Sequence, residues 1–274
     1  MRISKIQLIA ISAGVLLTIG LFGAGYKVST ATGSSKTTTS AGFDSFLKDA
    51  RDQLSSSELN DISLLEKQLT SANTEETQVM ALKSLVKGWD SLGRYEISAH
   101  YAEEIALKSN READWMDAGN RYFEALRLVT DSASKIFINE KTITLFKKVL
   151  ELNPANLQAK NNLGISIVEQ GNVMEGVRVL KEVETADPDN IPALYTLGYL
   201  SIQSGQLDKA AARFEKLVSL QPSNPQYHYH LGEIYEGLNQ KDKAIRSYET
   251  CKMLLTGPEE IRKLENKILE LKNT

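Results

Sequence analysis

Cysteine is almost missing from this chain. Cys251 stands alone in 274 residues, so no intramolecular disulfide can form and the count does not decide a redox compartment. Histidine is nearly as scarce: there are three, and His228 and His230 lie two residues apart. No CxxC or HExxH spacing, glycine-rich phosphate loop, nucleophile elbow or carboxylate pair stands out. The chain therefore reads as a non-enzyme, with no catalytic residues and no call for a cofactor or a metal. An excess of positive charge is missing too. With Arg2, Lys5, Lys27 and Lys36 set aside, 28 of the 32 basic residues face 35 acidic ones, a net charge of −7 on the remainder. An acidic body is a poor match for a phosphate backbone, so no nucleic-acid partner is expected.

Charge of either sign is lacking over residues 6–25, "IQLIAISAGVLLTIGLFGAG". As a helix at about 1.5 Å per residue this stretch would span about 30 Å, a bilayer's hydrocarbon core. The expectation is a single-pass anchor over 6–26, with a cleaved signal or a buried helix as the other readings. Arg2 and Lys5 on the short side favour a cytoplasmic N-terminus and an extracytoplasmic body. Residues 27–42, rich in Ser and Thr, read as a flexible tether after a short tail at 1–5. Residues 43–78 read as amphipathic helices, with Ser55 and Glu58 as a capping box.

What the remainder does have is a period. Leu-Gly recurs at 163–164, 197–198 and 231–232, thirty-four residues apart. Gly171, Gly205 and Asn239 keep the same step, as do Asn156, Asn190 and Asn224. Each marker has a physical task. The glycines and Asn239 suit a left-handed residue closing a first helix, and Pro154, Pro188 and Pro222 stop a second one. The asparagines that follow cap the next first helix. The unit is a helix hairpin that cannot bury its apolar face alone, so neighbours must stack.

These residues resemble the tetratricopeptide repeat family. The third unit carries His228, Leu231, Gly232, Tyr235, Ala244, Tyr248 and Cys251 at the family's places. The second carries Leu194, Leu197, Gly198, Ser201, Ala210, Phe214, Leu217 and Pro222. The first carries Leu163, Gly164, Ile167, Leu180, Val183 and Pro188, with Lys160 and Gly176 departing from the pattern. The resemblance implies an all-α, right-handed superhelical solenoid of antiparallel helix hairpins. Three clear units fall at 157–256, and divergent ones at 79–156 carry an insertion near 128–139. Gly93 and Gly171 are 78 residues apart, two periods and some ten residues more.

Residues 257–274 read as a capping helix, its stripe Ile261, Leu264, Ile268 and Leu271 covering the last hairpin. Self-association through that helix is the other reading. The histidines take ordinary repeat places, and side chains two apart on a helix diverge too far to share a metal.

The resemblance further implies a concave groove lined by first helices, where a protein or peptide partner would lie. The family's lining places map to Asn161, Asn162 and Ile165, then Tyr195, Tyr199 and Ile202, then Gln226, Tyr229, His230 and Glu233. The basic residues that clamp a peptide's terminal carboxylate in some members are missing at these places. The resulting expectation is a membrane-tethered scaffold docking other proteins extracytoplasmically, an envelope or translocation assembly being one setting. A periplasmic adaptor or holdase-type chaperone released by cleavage, and a non-catalytic subunit of a multi-chain enzyme, are the alternatives.

Overall fold

A computed structural model describes residues 38–273, with side chains from Gly42 onward. All regular structure among them is helical. In chain order the helices are α1 (Thr38–Arg51), α2 (Ser56–Ser71), α3 (Glu75–Ser91), α4 (Tyr95–Ser109), α5 (Glu112–Leu126), α6 (Ser132–Leu152) and α7 (Leu157–Glu169). There follow α8 (Val173–Ala186), α9 (Ile191–Gln203), α10 (Leu207–Leu220), α11 (Pro225–Gly237), α12 (Lys241–Leu254) and α13 (Pro258–Asn273). Two compact units divide between Gly176 and Val177, within α8.

The turn chemistry follows the residues. Gly93, Gly171, Gly205 and Asn239 all have positive φ, between 57° and 94°. At each, the next residue's amide reaches back five residues, as in Arg94 N–H to Trp89 O at 3.0 Å and Gln206 N–H to Ser201 O at 2.8 Å. This closure satisfies carbonyls that a helix end would leave orphaned. At the other end, the Asn156 side chain accepts from the Ala159 amide at 2.9 Å and Asn190 from Ala193 at 3.2 Å. Asn224 accepts from Gln226 at 3.0 Å. The Ser55–Glu58 capping box forms in both directions, at 2.8 and 3.3 Å.

Inside each unit, helices pack against their chain neighbours, α3 to α7 in the first and α9 to α13 in the second. Leu163, Leu197 and Leu231 are all buried, as the repeat requires. The glycine after each of the last two meets the partner helix. A Cβ on Gly198 would lie 2.9 Å from Phe214, and one on Gly232 would press still harder on Tyr248. Gly119 meets Phe146 in the same way, at 2.9 Å. Glycine is needed at these places because an aromatic ring occupies the space of its missing side chain. Gly119 and Phe146 are 27 residues apart where Gly198 and Phe214 are 16, and α6 has 21 residues against 14 in α10.

In the first unit α1 lies on α4 and α6, both second helices of their hairpins. Phe43 stacks on His100 at 3.6 Å, and Phe46 meets Phe137 at 5.8 Å. In the second unit, Leu264 and Ile268 of α13 join the core made by α9 to α12, with Leu271 packed against it. Leu264, Ile268 and Leu271, three of the four residues of the stripe expected to cover the last hairpin, thus face that hairpin.

The single-pass membrane placement is corrected. Among the described residues no helix is long and apolar enough to cross a bilayer. The stretch 6–26, on which that location and the membrane partner rested, lies outside the described residues.

Substituting Gly232→Ala should cost about 1–3 kcal/mol, the ordinary penalty of overpacking, because Tyr248 cannot retreat from a filled core. Gly198→Ala should cost less, since its contact is looser and alanine's helix preference offsets part of the strain. Urea denaturation followed by far-ultraviolet circular dichroism reads both; equal stability of the two variants would contradict the wedge.

Candidate functional site

The expected lining residues divide between the two units. In the second, Tyr195, Tyr199 and Ile202 project from α9, and Gln226, Tyr229, His230 and Glu233 from α11. Positions four apart share a helix face, so Tyr195 and Tyr199 stand one above the other. Both approach His230, with ring centroids 6.1 and 6.4 Å away, and Tyr229 lies 6.1 Å from it. Phe214 supports the imidazole from below at 5.1 Å. The Tyr195 hydroxyl accepts a hydrogen bond from Gln226 Nε2 at 2.9 Å.

His230 is nine-tenths buried and its Nδ1 lies 3.1 Å from a Glu233 oxygen. A carboxylate only accepts, so Nδ1 carries the proton of that bond. Its Nε2 is buried without a hydrogen-bond partner. His228 faces elsewhere, with Nε2 2.8 Å from the Pro222 carbonyl, so the two histidines have separate surroundings. Among the described residues, no three His, Cys, Asp or Glu side chains gather as a metal would need. Cys251 is buried and its thiol is pushed up to about 11 by that burial.

Glu233 is the electrostatic centre of this face. Burial comes first among the causes that push Tyr195 and Tyr229 up to about 12, and the Glu233 carboxylate adds to both. Tyr199 and Tyr248 are raised by burial too, and again by the Glu233 charge. Four phenols from three helices thus sense one carboxylate. Glu233 keeps 40% of its side chain exposed, and Tyr229 is 37% exposed. Tyr195 is less available, because Phe214 and Tyr227 flank its ring at 5.9 and 6.0 Å.

Beside this face, α13 contributes a cation. Lys267 Nζ lies 5.4 Å over the Tyr248 ring and 3.0 Å from a Glu236 oxygen. Neither Lys267 nor Tyr248 was expected here from the sequence. The 34-residue period stops before α13, so no spacing announces where its lysines fall.

In the first unit, Asn161, Asn162 and Ile165 lie on α7. Asn161 Nδ2 donates to Asn162 at 3.2 Å, and Asn162 Nδ2 to Asn120 of α5 at 3.2 Å. Asn161 is buried and its carbonyl oxygen has no partner. Asn139 of α6 is also buried and donates to the Ser166 carbonyl at 2.9 Å. Ile165 is half-buried.

Two tetratricopeptide repeat profiles match, at residues 168–234 and 225–254. Residues 168–254 thus carry tetratricopeptide repeats. The fold is shared with solved structures of low identity. A tetratricopeptide repeat protein from Parabacteroides merdae aligns with a TM-score of 0.56 at 13% identity, over 85% of this chain and 88% of that one. MamA from Desulfovibrio magneticus RS-1 aligns at 0.51 and 22% identity, over 70% and 98%. YrrB, described as a repeat protein with an unusual peptide-binding site, aligns at 0.51 and 15% identity, over 77% and 98%. At these identities the likeness is one of fold. No curated protein matches the chain by sequence. In repeat terms, Tyr195 and Tyr229 take the same lining place thirty-four residues apart, so the repeat itself sets the tyrosines' spacing.

The raised phenols give a pH signature. An ordinary tyrosine ionises near 10, and Tyr195 and Tyr229 should do so near 12. A folded-state value above the unfolded one stabilises the fold fully below about pH 10, and that contribution is lost as the pH rises through about 12. Ultraviolet difference titration should show the late step. Glu233→Gln should bring it earlier by removing the charge that opposes the phenolate, and an unmoved step would contradict the geometry.

Proposed function

We propose that the protein is a docking scaffold that holds a segment of another protein on the α9–α11 face of residues 177–274. Tyr199 and Tyr229 act as the anchors. The observation that carries this reading is an available aromatic surface on a rigid support. Tyr229 is 37% exposed while Leu231, Ile234 and Tyr235 of the same helix are buried. Tyrosine gives large contact area at low entropy cost, and such residues dominate binding energies where they sit on preorganised supports. The repeat family supports the reading, since stacked hairpins present extended surfaces and little else. YrrB's described peptide-binding site shows that one protein of this fold binds a peptide.

The role is that of an adaptor without chemistry of its own, acting alone or as a non-catalytic subunit. A holdase would want a broad apolar surface. The large exposed apolar side chains here, such as Leu64, Met80, Leu107, Met174 and Met253, are spread over five helices. That scatter favours an adaptor with a defined face.

A photo-crosslinking residue at Ile202 should give adducts with the partner, mapped by mass spectrometry. The double substitution Tyr199→Ala, Tyr229→Ala should weaken the complex by more than about tenfold, as loss of aromatic anchors does. The helical melt should move little, because Tyr195 is left in place to support Phe214 and Tyr227. Undiminished capture, or a complex that forms without any adduct at Ile202, would remove the α9–α11 face from consideration.

A further inference from the structure

The two first helices of the second unit are unlike the rest of it in charge. α9, "IPALYTLGYLSIQ", has no charged residue, and α11, "PQYHYHLGEIYEG", has only Glu233 and Glu236. Every lysine and arginine of residues 177–274 lies elsewhere. A ligand reaching this face meets tyrosine rings and carboxylates, with no protein cation on either helix. Rings present a negative face, and a carboxylate beside them adds full charge, so the chemistry selects a cation.

The unit already holds one cation in this way. Lys267 lies over the Tyr248 ring and on the Glu236 carboxylate, at 5.4 and 3.0 Å. One helical turn earlier, Glu233 stands among Tyr195, Tyr199 and Tyr229 and pairs with no lysine or arginine among the described residues. His230 takes one of its oxygens at 3.1 Å, and the Tyr229 hydroxyl donates to the same carboxylate. The arrangement of ring plus carboxylate is thus present twice, filled once from within and open once to the outside. The open copy is half-exposed at Glu233 and Tyr229, so an incoming side chain can reach it.

We propose that the Tyr199–Tyr229–Glu233 corner takes the lysine or arginine side chain of an extended basic peptide segment. The inference rests on the docking reading above and deepens it by naming the partner's charge. The bound cation would lie against the tyrosine rings and pair with the Glu233 carboxylate, as Lys267 does with Glu236. Acidic and neutral segments would find the same rings but no counter-charge.

Fluorescence anisotropy with the full chain tests this, using three labelled peptides of equal length that alternate alanine with lysine, glutamate or serine. The lysine peptide should bind about tenfold tighter than the serine peptide, with the glutamate peptide weakest, and the preference should shrink as salt screens it. Glu233→Gln, nearly isosteric, should abolish most of the preference. Glu259→Gln, an exposed carboxylate paired with Lys263 on α13, should leave it intact. Circular dichroism checks that both variants keep the parent melt. If the serine peptide binds as tightly as the lysine peptide and both need Tyr199 and Tyr229, the cation preference is wrong and the docking face survives. A lysine preference that persists in Glu233→Gln, or falls equally in Glu259→Gln, reports diffuse surface charge and overturns the proposal. Binding indifferent to Tyr199, Tyr229 and Glu233 alike, or no binding of any peptide, overturns both readings.

Discussion

A ring needs somewhere to go, and in three hairpins of this protein it goes where a glycine has no side chain. Phe146 lies against Gly119, Phe214 against Gly198 and Tyr248 against Gly232. Interiors are packed as densely as organic crystals, so the absence of one carbon sets how near two helices approach. The left-handed turn between the helices then has a fixed span to cover, and Gly205 and Asn239 cover it with positive φ. For each of the last two hairpins, the geometry follows from that pair of constraints. The side chains on its outer face are carried to their places by the same contact.

Most of this was legible because each constraint leaves a residue type behind. Only glycine leaves room for the ring, only glycine or asparagine takes the left-handed turn cheaply, and asparagine caps what proline has ended. Repetition at thirty-four residues turned individually weak signals into one pattern. The extra length between Gly119 and Phe146 was visible as a defect in that period. What the period could not reach was contact made outside it. The stacking of Phe43 on His100, and the place of α1 on α4 and α6, arise from a helix with no repeat partner in the sequence. Lys267 over Tyr248 is the same kind of contact at the other end. The membrane location rested on a residue run rather than on packing, and the described helices give it no support.

The candidate face was legible as a list and illegible as an arrangement. The lining places named Tyr195, Tyr199, Tyr229, His230 and Glu233, which the second unit brings around one imidazole. They did not show that Tyr195 is largely a support, held by Phe214, Tyr227 and the Gln226 bond. Nor did they show that His230 is buried behind the rings rather than offered to a partner. Burial depends on what stands on the far side of a helix, and a lining rule looks only at the near side. The polar atoms reflect this. Nε2 of His230 and the hydroxyl of Tyr248 are buried without partners beneath the face. Such groups cost free energy that an apolar side chain of the same size would not.

That cost bears on how recognition and stability are joined. Tyr229 touches Tyr248 at 5.7 Å, and Tyr248 is the ring wedged against Gly232. The outermost aromatic of the face therefore rests on the residue that sets the spacing of α11 and α12. A loosened wedge would release the position of Tyr229 and with it the geometry around Glu233. Rigid anchors lose less entropy on binding than mobile ones, so the packing that stabilises the hairpin would also lower the cost of the proposed docking. A partner bound at the rings would in turn favour the packed hairpin over its opened form, since a ligand that recognises only the folded face shifts the equilibrium toward it. Under the proposed docking, fold and recognition in this unit would draw on one contact, and a change at Gly232 would reach both.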